Sequence, residues 1–408
     1  MAAISSGKTE PARTTERSIT DAAFVVCPND ESLCMYRIGF DAKRLFHNYT
    51  GLGNYSRTLV HNLATCYPEH AYHLYTPSLK SHSEIQSFLG QPPYHIHTAT
   101  GPFRAYWRTI GILKDLRRHQ VQLYHGLSHE IPIGIHRQGI PSIVTIHDLV
   151  FKHYPSHFPW LDRQLYDFKF RYACRHSNLI IAISESTRKD IVEFYNIPAE
   201  KVAVVYQSCH ERFLEQHSPE TRMAVLQKYQ LPTDYLLYVG ALIERKNLLG
   251  IVQAMEHLPP DLQLPLVVIG NGGAYKRKVQ AYIARKRMER QVLFVDAKFE
   301  DMPALYQQAR IFIYPSVYEG FGIPVLESLC SGPPVITSNV SSLPEAAGPD
   351  SWLVDPTQPQ EIAAGMEAIL SSETLRARMI AQGLTYAQHF RGEVLAQQLM
   401  QIYLTLLK

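Results

Sequence analysis

Short runs of consecutive apolar residues recur along this chain, each followed by a polar or glycine-bearing turn and then by a stretch with helical spacing. The runs at 36–41, 72–75, 123–125, 143–147, 179–183 and 202–206 are too short for buried helices and rich in Ile, Val, Leu and Tyr, so they are predicted as strands. A second series follows at 235–239, 266–269, 292–295, 311–314 and 335–337. Near-continuous apolar strands alternating with helices predict parallel sheets covered on both faces. The stretch 209–230 is polar and interrupted by Pro219, and reads as a link between domains. The expected organisation is a disordered lead over 1–34, a doubly wound α/β domain over 35–215, a second over 216–386, and a last amphipathic helix, 387–408, crossing back to the first domain. Met35 stands directly before the first strand, and a chain beginning there is expected to be as stable and active as the whole.

Chemistry concentrates at Tyr318-Glu319-Gly320-Phe321-Gly322-Ile323-Pro324-Val325-Leu326-Glu327, directly after the strand 311–314. Pro324 suits the first helical position, where its missing N–H is no loss, so Glu327 is expected in the first helical turn and Glu319 in the loop before it. Gly320 and Gly322 allow close backbone approach, and a helix N-terminus offers N–H groups to an anion. A carboxylate can accept both hydroxyls of a vicinal diol such as ribose. Phosphate cradle and diol reader together suit a nucleoside diphosphate; a plain turn with a dipole-complementing glutamate is the alternative.

Further turns fall at predicted strand ends. Gly51-Leu52-Gly53 opens a helix, but the third glycine of a dinucleotide fingerprint is replaced by Ser56, and a tight turn without ligand is the alternative. His147-Asp148 ends the strand 143–147, the edge at which open parallel sheets bind ligands; a satisfied turn histidine is equally compatible. Gly240 leads into Arg245-Lys246, a bidentate fork beside a compact charge, which is the pair a diphosphate needs. Ser184 to Thr187 reads as a helix cap with no chemistry. Residues 104–118 interleave Phe103, Tyr106, Trp107 and Ile110 with Arg104, Arg108, Lys114, Arg117 and Arg118. They fit a core-packed helix with a solvated basic face, the preferred reading, and also peripheral contact with an anionic membrane.

Composition narrows the classes. The chain has 408 residues, 46% hydrophobic and 19% charged, enough for two cores, and a net charge of +3 gives no general attraction to nucleic acid. Its six cysteines are scattered without a Cys-x-x-Cys, which argues against a disulfide framework or a cysteine zinc site and fits a reducing, cytoplasmic setting. No apolar run is long enough to span a bilayer, and no charged-then-apolar leader is present.

Taken in this order, the motifs resemble the retaining glycosyltransferases of family 4. The most specific part is Glu319 and Glu327 with seven residues between them and Gly-Phe-Gly inside. The stretch Gly240 to Asn247, the pair Gly51 and Gly53, and His147-Asp148 match as well. The resemblance implies the GT-B architecture: two facing Rossmann-like domains with a cleft between them. It implies that Arg245 and Lys246 bind the donor diphosphate, Glu327 holds the ribose, and Glu319 lies by the donor sugar. Gly320, Phe321 and Gly322 would offer backbone N–H groups, Gly51 and Gly53 would close on the diphosphate, and His147 would contact the sugar near the anomeric carbon. Residues 296–305 would flank the nucleobase. The implied activity is transfer of a hexosyl group, mannosyl favoured, from a GDP- or UDP-linked sugar to a glycan or lipid-linked acceptor. No cofactor or metal is expected, since the cationic pair and helix dipole take magnesium's place. Two other readings are an epimerase of nucleotide sugars on the same scaffold and a non-catalytic nucleotide-sugar sensor.

Overall fold

The computed structural model describes residues 35–80 and 82–407; the lead over 1–34 lies outside the described residues. Thirteen strands run among the described residues: β1 (Arg37–Asp41), β2 (Ala71–Thr76), β3 (Tyr94–Thr98), β4 (Leu123–Gly126), β5 (Ser142–Ile146), β6 (Leu179–Ala182), β7 (Val202–Val204), β8 (Leu236–Val239), β9 (Leu266–Ile269), β10 (Val292–Val295), β11 (Ile311–Tyr314), β12 (Val335–Ser338) and β13 (Trp352–Val354). They form two sheets, ordered β3-β2-β1-β4-β5-β6-β7 and β10-β9-β8-β11-β12-β13. Every pairing is parallel, for example Ile38 opposite Tyr72 and Leu237 opposite Phe312. Each sheet is doubly wound, as expected, and the two domains face one another.

Strand order decides where ligands can sit. Each sheet reverses its winding direction once, between β1 and β4 and between β8 and β11. The crevice outside the carboxyl ends of the strands at such a reversal is left uncovered by crossover helices. The Gly51 turn opens at the first reversal, with the His147 turn one strand over at the end of β5, and Gly240–Lys246 and Ser316–Gly322 open at the second.

Several elements differ from expectation. β3 and β13 are edge strands that the apolar pattern does not reveal: Tyr-His-Ile-His-Thr is too polar and Trp-Leu-Val too short. Pro219 does not break the linker but starts a helix, Pro219–Tyr229, whose first turn is capped by Ser218 accepting from the Thr221 N–H. The end of the chain is two helices, Glu373–Ala387 and Gly392–Leu406. In the second of these Leu395, Ala396, Leu399, Met400 and Tyr403 form a buried stripe. It lies on the helix Gly51–Cys66, and the Tyr403 hydroxyl meets His125 Nδ1 of β4 at 2.6 Å. Residues 104–118 are one helical segment with a wider π turn at Trp107–Gly111. Trp107, Ile112, Leu113 and Leu116 pack into the core, whereas Phe103, Tyr106 and Ile110 stay exposed. Among the described residues no helix is long and apolar enough to cross a membrane.

Candidate active site

Arg245 and Lys246 sit on a single 3-10 turn, Glu244–Lys246, just past β8. Asn247 fixes that turn. Its backbone is left-handed (φ 54°), which asparagine tolerates better than most residues, and its side chain accepts from the Gly250 N–H at 3.2 Å to start the next helix. The same amide donates to the Pro356 carbonyl at 2.7 Å. Both cations are therefore presented by a braced corner rather than a free loop.

Glu319 faces them from the end of β11. Its Oε1 lies 2.9 Å from the Arg245 guanidinium and 3.6 Å from Lys246 Nζ. It also accepts from the hydroxyls of Tyr314 and Ser316, both at 2.9 Å. Arg245 donates as well to the Tyr318 carbonyl, and Lys246 to the Tyr314 hydroxyl. Burial works to raise the Glu319 carboxyl, but Lys246 and Arg245 overcome it and hold it below the usual range. Burial likewise disfavours the Arg245 charge, and Glu319 more than restores it. Two cations on one carboxylate leave one net positive charge in a mostly dehydrated corner, where a charge acts more strongly than in water.

Glu327 stands apart. The helix runs Ile323–Ser331 with Gly322 at its N-cap (φ 120°). Pro324 is its second residue, so Glu327 falls in the second turn, not the first; the helix starts at Ile323 because Gly322 alone turns the chain there. A Cβ on Gly322 would stand 3.0 Å from Leu343 and 3.3 Å from Ala346, besides the strain of that φ. Glu327 accepts from Tyr306 Oη at 3.0 Å. Burial lifts its carboxyl to about 7, with Tyr306 and Lys246 pulling the other way. It is a carboxylate poised to change charge near neutrality.

The first domain supplies the opposite wall. Gly51 opens the helix Gly51–Cys66, and nothing lies within 4 Å of where its Cβ would be, whereas a Cβ on Gly53 would meet the Asn48 carbonyl oxygen at 1.6 Å. Gly51 is thus open to a ligand and Gly53 is required by its own loop. His147 follows β5 and is buried; its Nε2–H donates to the Leu127 carbonyl at 2.9 Å, and Gln207 donates to its Nδ1 at 3.3 Å. Burial holds the imidazole down at about 4, so the ring is neutral at ordinary pH. Burial raises the carboxyl of Asp148, and the Val150 N–H and Arg245 offset only part of that. A cleft of about 700 Å³ opens beside this wall, lined by Asn54, Arg57, His210, Arg212, Phe299 and Glu300, the last two from the stretch 296–305.

The domains are clasped across the site. Ser184 Oγ donates to the Gly320 carbonyl at 2.7 Å, and Thr187 to the same oxygen at 3.3 Å. A Cβ on Gly320 would lie 2.0 Å from the His147 carbonyl oxygen, so only glycine permits this approach. Tyr318 Oη donates to Asp190 at 2.7 Å, and Glu345 accepts from the N–H groups of Glu185 and Ser186 at 2.6 and 2.9 Å. The Phe321 ring is not in the site; it packs between Tyr206 and Phe390, each at 5.6 Å.

Arg245, Lys246 and Glu319 therefore form one constellation, while the side chains of Glu327 and His147 bond elsewhere, to Tyr306 and to Leu127 and Gln207. Sequence reasoning missed Tyr306, Tyr314 and Ser316, because tyrosines inside apolar runs read as core. It also gave Ser184 and Thr187 a purely local cap; their second partner is Gly320, over a hundred residues on, and no local signal marks it.

Comparison with known proteins fits this geometry. Residues 226–385 match the family described as glycosyl transferases group 1, and residues 49–208 the one described as Glycosyltransferase Family 4. The chain is 30% identical over 390 residues to O-antigen chain mannosyltransferase B of Escherichia coli, covering 90% of this chain and 99% of that protein. It is 25% identical over 254 residues to O-antigen chain mannosyltransferase RfbU of Salmonella typhimurium, covering 62% and 65%. Among solved structures, Anabaena Alr3699/HepE in complex with UDP and glucose has the same fold, with TM-score 0.70, 18% identity and 90% and 99% of the two chains covered. WaaG, a glycosyltransferase involved in lipopolysaccharide biosynthesis, aligns with TM-score 0.66 at 16% identity, covering 90% and 99%.

Proposed function

The chain belongs to the family 4 glycosyltransferases of GT-B fold, and from that premise we propose that it moves a mannosyl group from a nucleoside-diphosphate sugar to a glycan or lipid-linked acceptor during synthesis of a surface polysaccharide. The observation that carries this reading is the Arg245–Lys246 pair held on Glu319 beside the mouth of the helix Ile323–Ser331, at the winding reversal of the second sheet. The sugar identity follows the two mannosyltransferase relatives. The base is guanine or uracil; the Anabaena neighbour was solved with UDP, and the mannosyl reading favours GDP.

In this reading the diphosphate enters with its charge between the cations and the helix N-terminus. Arg245 and Lys246 stabilise the negative charge that grows on it as the bond to the sugar's anomeric carbon breaks, a form of electrostatic catalysis. Glu327 accepts the ribose hydroxyls and Gly51 closes on the phosphates. Glu319 is already bound by two cations and two hydroxyls, which fits a positioning role better than that of a nucleophile. The acceptor oxygen then attacks on the face the diphosphate leaves. Its proton passes to the departing phosphate oxygen, and the anomeric configuration is retained. His147 is neutral and buried, and turns toward the sugar only if it gives up one of its two protein partners. No divalent ion is required, the cations and helix dipole doing its work. The exposed Phe103, Tyr106 and Ile110 beside the basic residues of 104–118 favour work at the inner face of a membrane that carries a lipid-linked acceptor.

The test is incubation with GDP-mannose or UDP-glucose, with and without a mannose-terminated acceptor, in EDTA, followed by NMR of the product. Transfer of α-linked mannose from GDP-mannose in EDTA supports the proposal. Epimerised nucleotide sugar without acceptor, or binding without transfer over a broad acceptor panel, contradicts it in favour of an epimerase or a sensor.

A further inference from the structure

A cluster of histidines lies outside the transfer cleft, at the outer edge of the first sheet. His73 is on β2, His97 on the edge strand β3, and His119 directly follows the helix Ile112–Arg118. Their ring nitrogens include a set of three, one from each residue, that all lie within 4.8 Å of one another. His73 Nδ1 and His97 Nε2 are 2.9 Å apart and share one proton. The His97 and His119 rings stack at 3.9 Å. We propose that His73, His97 and His119 bind a divalent ion of the zinc class.

The distances fit such an ion. With zinc–nitrogen bonds of about 2.0–2.1 Å, two ligands of a tetrahedral site stand roughly 3.4 Å apart. The 2.9 Å spacing and the 4.8 Å limit on the others bracket that value, and the rings, now stacked, turn on binding so that their lone pairs meet at one centre. The ion replaces the shared proton of His73 and His97. His119 Nδ1 lies 2.9 Å from Tyr75 Oη; the tautomer that donates to the tyrosine leaves Nε2 as ligand, and an oriented outer partner of this kind is usual for metal-bound histidine. His95 pairs with His73 in the sheet, its ring 4.9 Å away and exposed, and is the candidate fourth ligand, with water as the alternative.

The ion ties the edge strand β3 to β2 and to the end of the 104–118 segment, whose Trp107 is held by Asp115 at 2.6 Å. Its role is a staple of the acceptor domain, distinct from catalysis. Cysteine spacing points to no such site, and histidines from distant parts of the chain carry no spacing signature.

The experiment is calorimetric titration of zinc chloride into the tag-free, EDTA-stripped full chain at pH 7.5. One ion per chain is expected, with a rise in Tm that EDTA reverses. His97→Ala and His119→Gln, both at half-buried positions, each weaken binding by at least about tenfold and abolish the Tm rise. His136→Ala, in a separate surface pair with His176, leaves it unchanged. Cobalt substituted for zinc gives the visible absorption of a tetrahedral site in the parent and not in His97→Ala. Absence of zinc binding below millimolar, or equal binding by parent and the His97→Ala, His119→Gln double variant, overturns the proposal. Circular dichroism of each variant separates loss of the site from loss of the fold.

Discussion

At the scale of single residues, the site is built around one carboxylate oxygen. Glu319 Oε1 takes Arg245, Lys246, Tyr314 and Ser316, which fixes both cations before any substrate arrives. In the proposed reaction Arg245→Ala removes the charge that steadies the leaving group, so kcat is expected to fall by about 10²–10³-fold; it also takes from the buried Glu319 one of its two cations, so Tm falls too, and steady-state kinetics beside a melting curve check both. Glu327 gives a pH signature. Its carboxyl sits at about 7, and only the ionised form accepts two ribose hydroxyls. Donor affinity is therefore weak at pH 6, rises through pH 7 and levels off near pH 8; Glu327→Gln flattens the profile at the weak level. Titration of nucleoside diphosphate between about pH 6 and pH 8 measures it. Glu319 and Glu327 were legible in the sequence because loop and helix start are marked by glycine and proline. Their tyrosine partners were not, since a hydroxyl at the tip of a core residue leaves the apolar pattern unchanged.

At the scale of elements, the first and third residues of one helix, Gly51 and Gly53, differ in what a side chain would meet. A Cβ on Gly53 collides with the Asn48 carbonyl at 1.6 Å, and one on Gly51 meets nothing. Gly53→Ala is expected to destabilise the first domain by roughly 1–3 kcal/mol, seen as a lower Tm. Gly51→Ala is expected to keep the Tm and, on the proposed reading, to raise the donor KM several-fold, because the added methyl would enter the open space assigned to the diphosphate. The central strands were readable from apolar runs because both their faces are buried. The edge strands β3 and β13 were not, because an edge needs little apolar surface and tolerates histidine. Pro219 was misread for a related reason: proline ends a helix from inside but begins one from its first turn, and only the Ser218 cap distinguishes the two.

At the scale of the whole molecule, the clasp decides how water is excluded. Tyr318 to Asp190, Ser184 and Thr187 to Gly320, and Glu345 to the start of the helix Glu185–Tyr195 all bridge the domains beside the cations. In the proposed reaction this closure would keep water from the donor sugar and strengthen the charges inside. Tyr318→Phe removes one bridge, so the ratio of donor hydrolysis to transfer is expected to rise several-fold while stability falls by about 1 kcal/mol. Parallel assays of free sugar and of product check it. The two-domain plan was legible because each sheet repeats the same alternation. The clasp was not, because its partners lie far apart in sequence.

The central claim is that a pyrophosphate lodges between Arg245, Lys246 and the start of the helix Ile323–Ser331. Calorimetric titration of GDP, UDP and ADP, with guanosine and uridine as diphosphate-free controls, into the full chain and into the Arg245→Ala, Lys246→Ala double variant tests it most directly. The account predicts that one diphosphate binds the parent, that its nucleoside binds far more weakly, and that the double variant loses about 10²-fold or more in affinity. Equal affinity of parent and double variant, or no binding of any diphosphate by the parent, would contradict it.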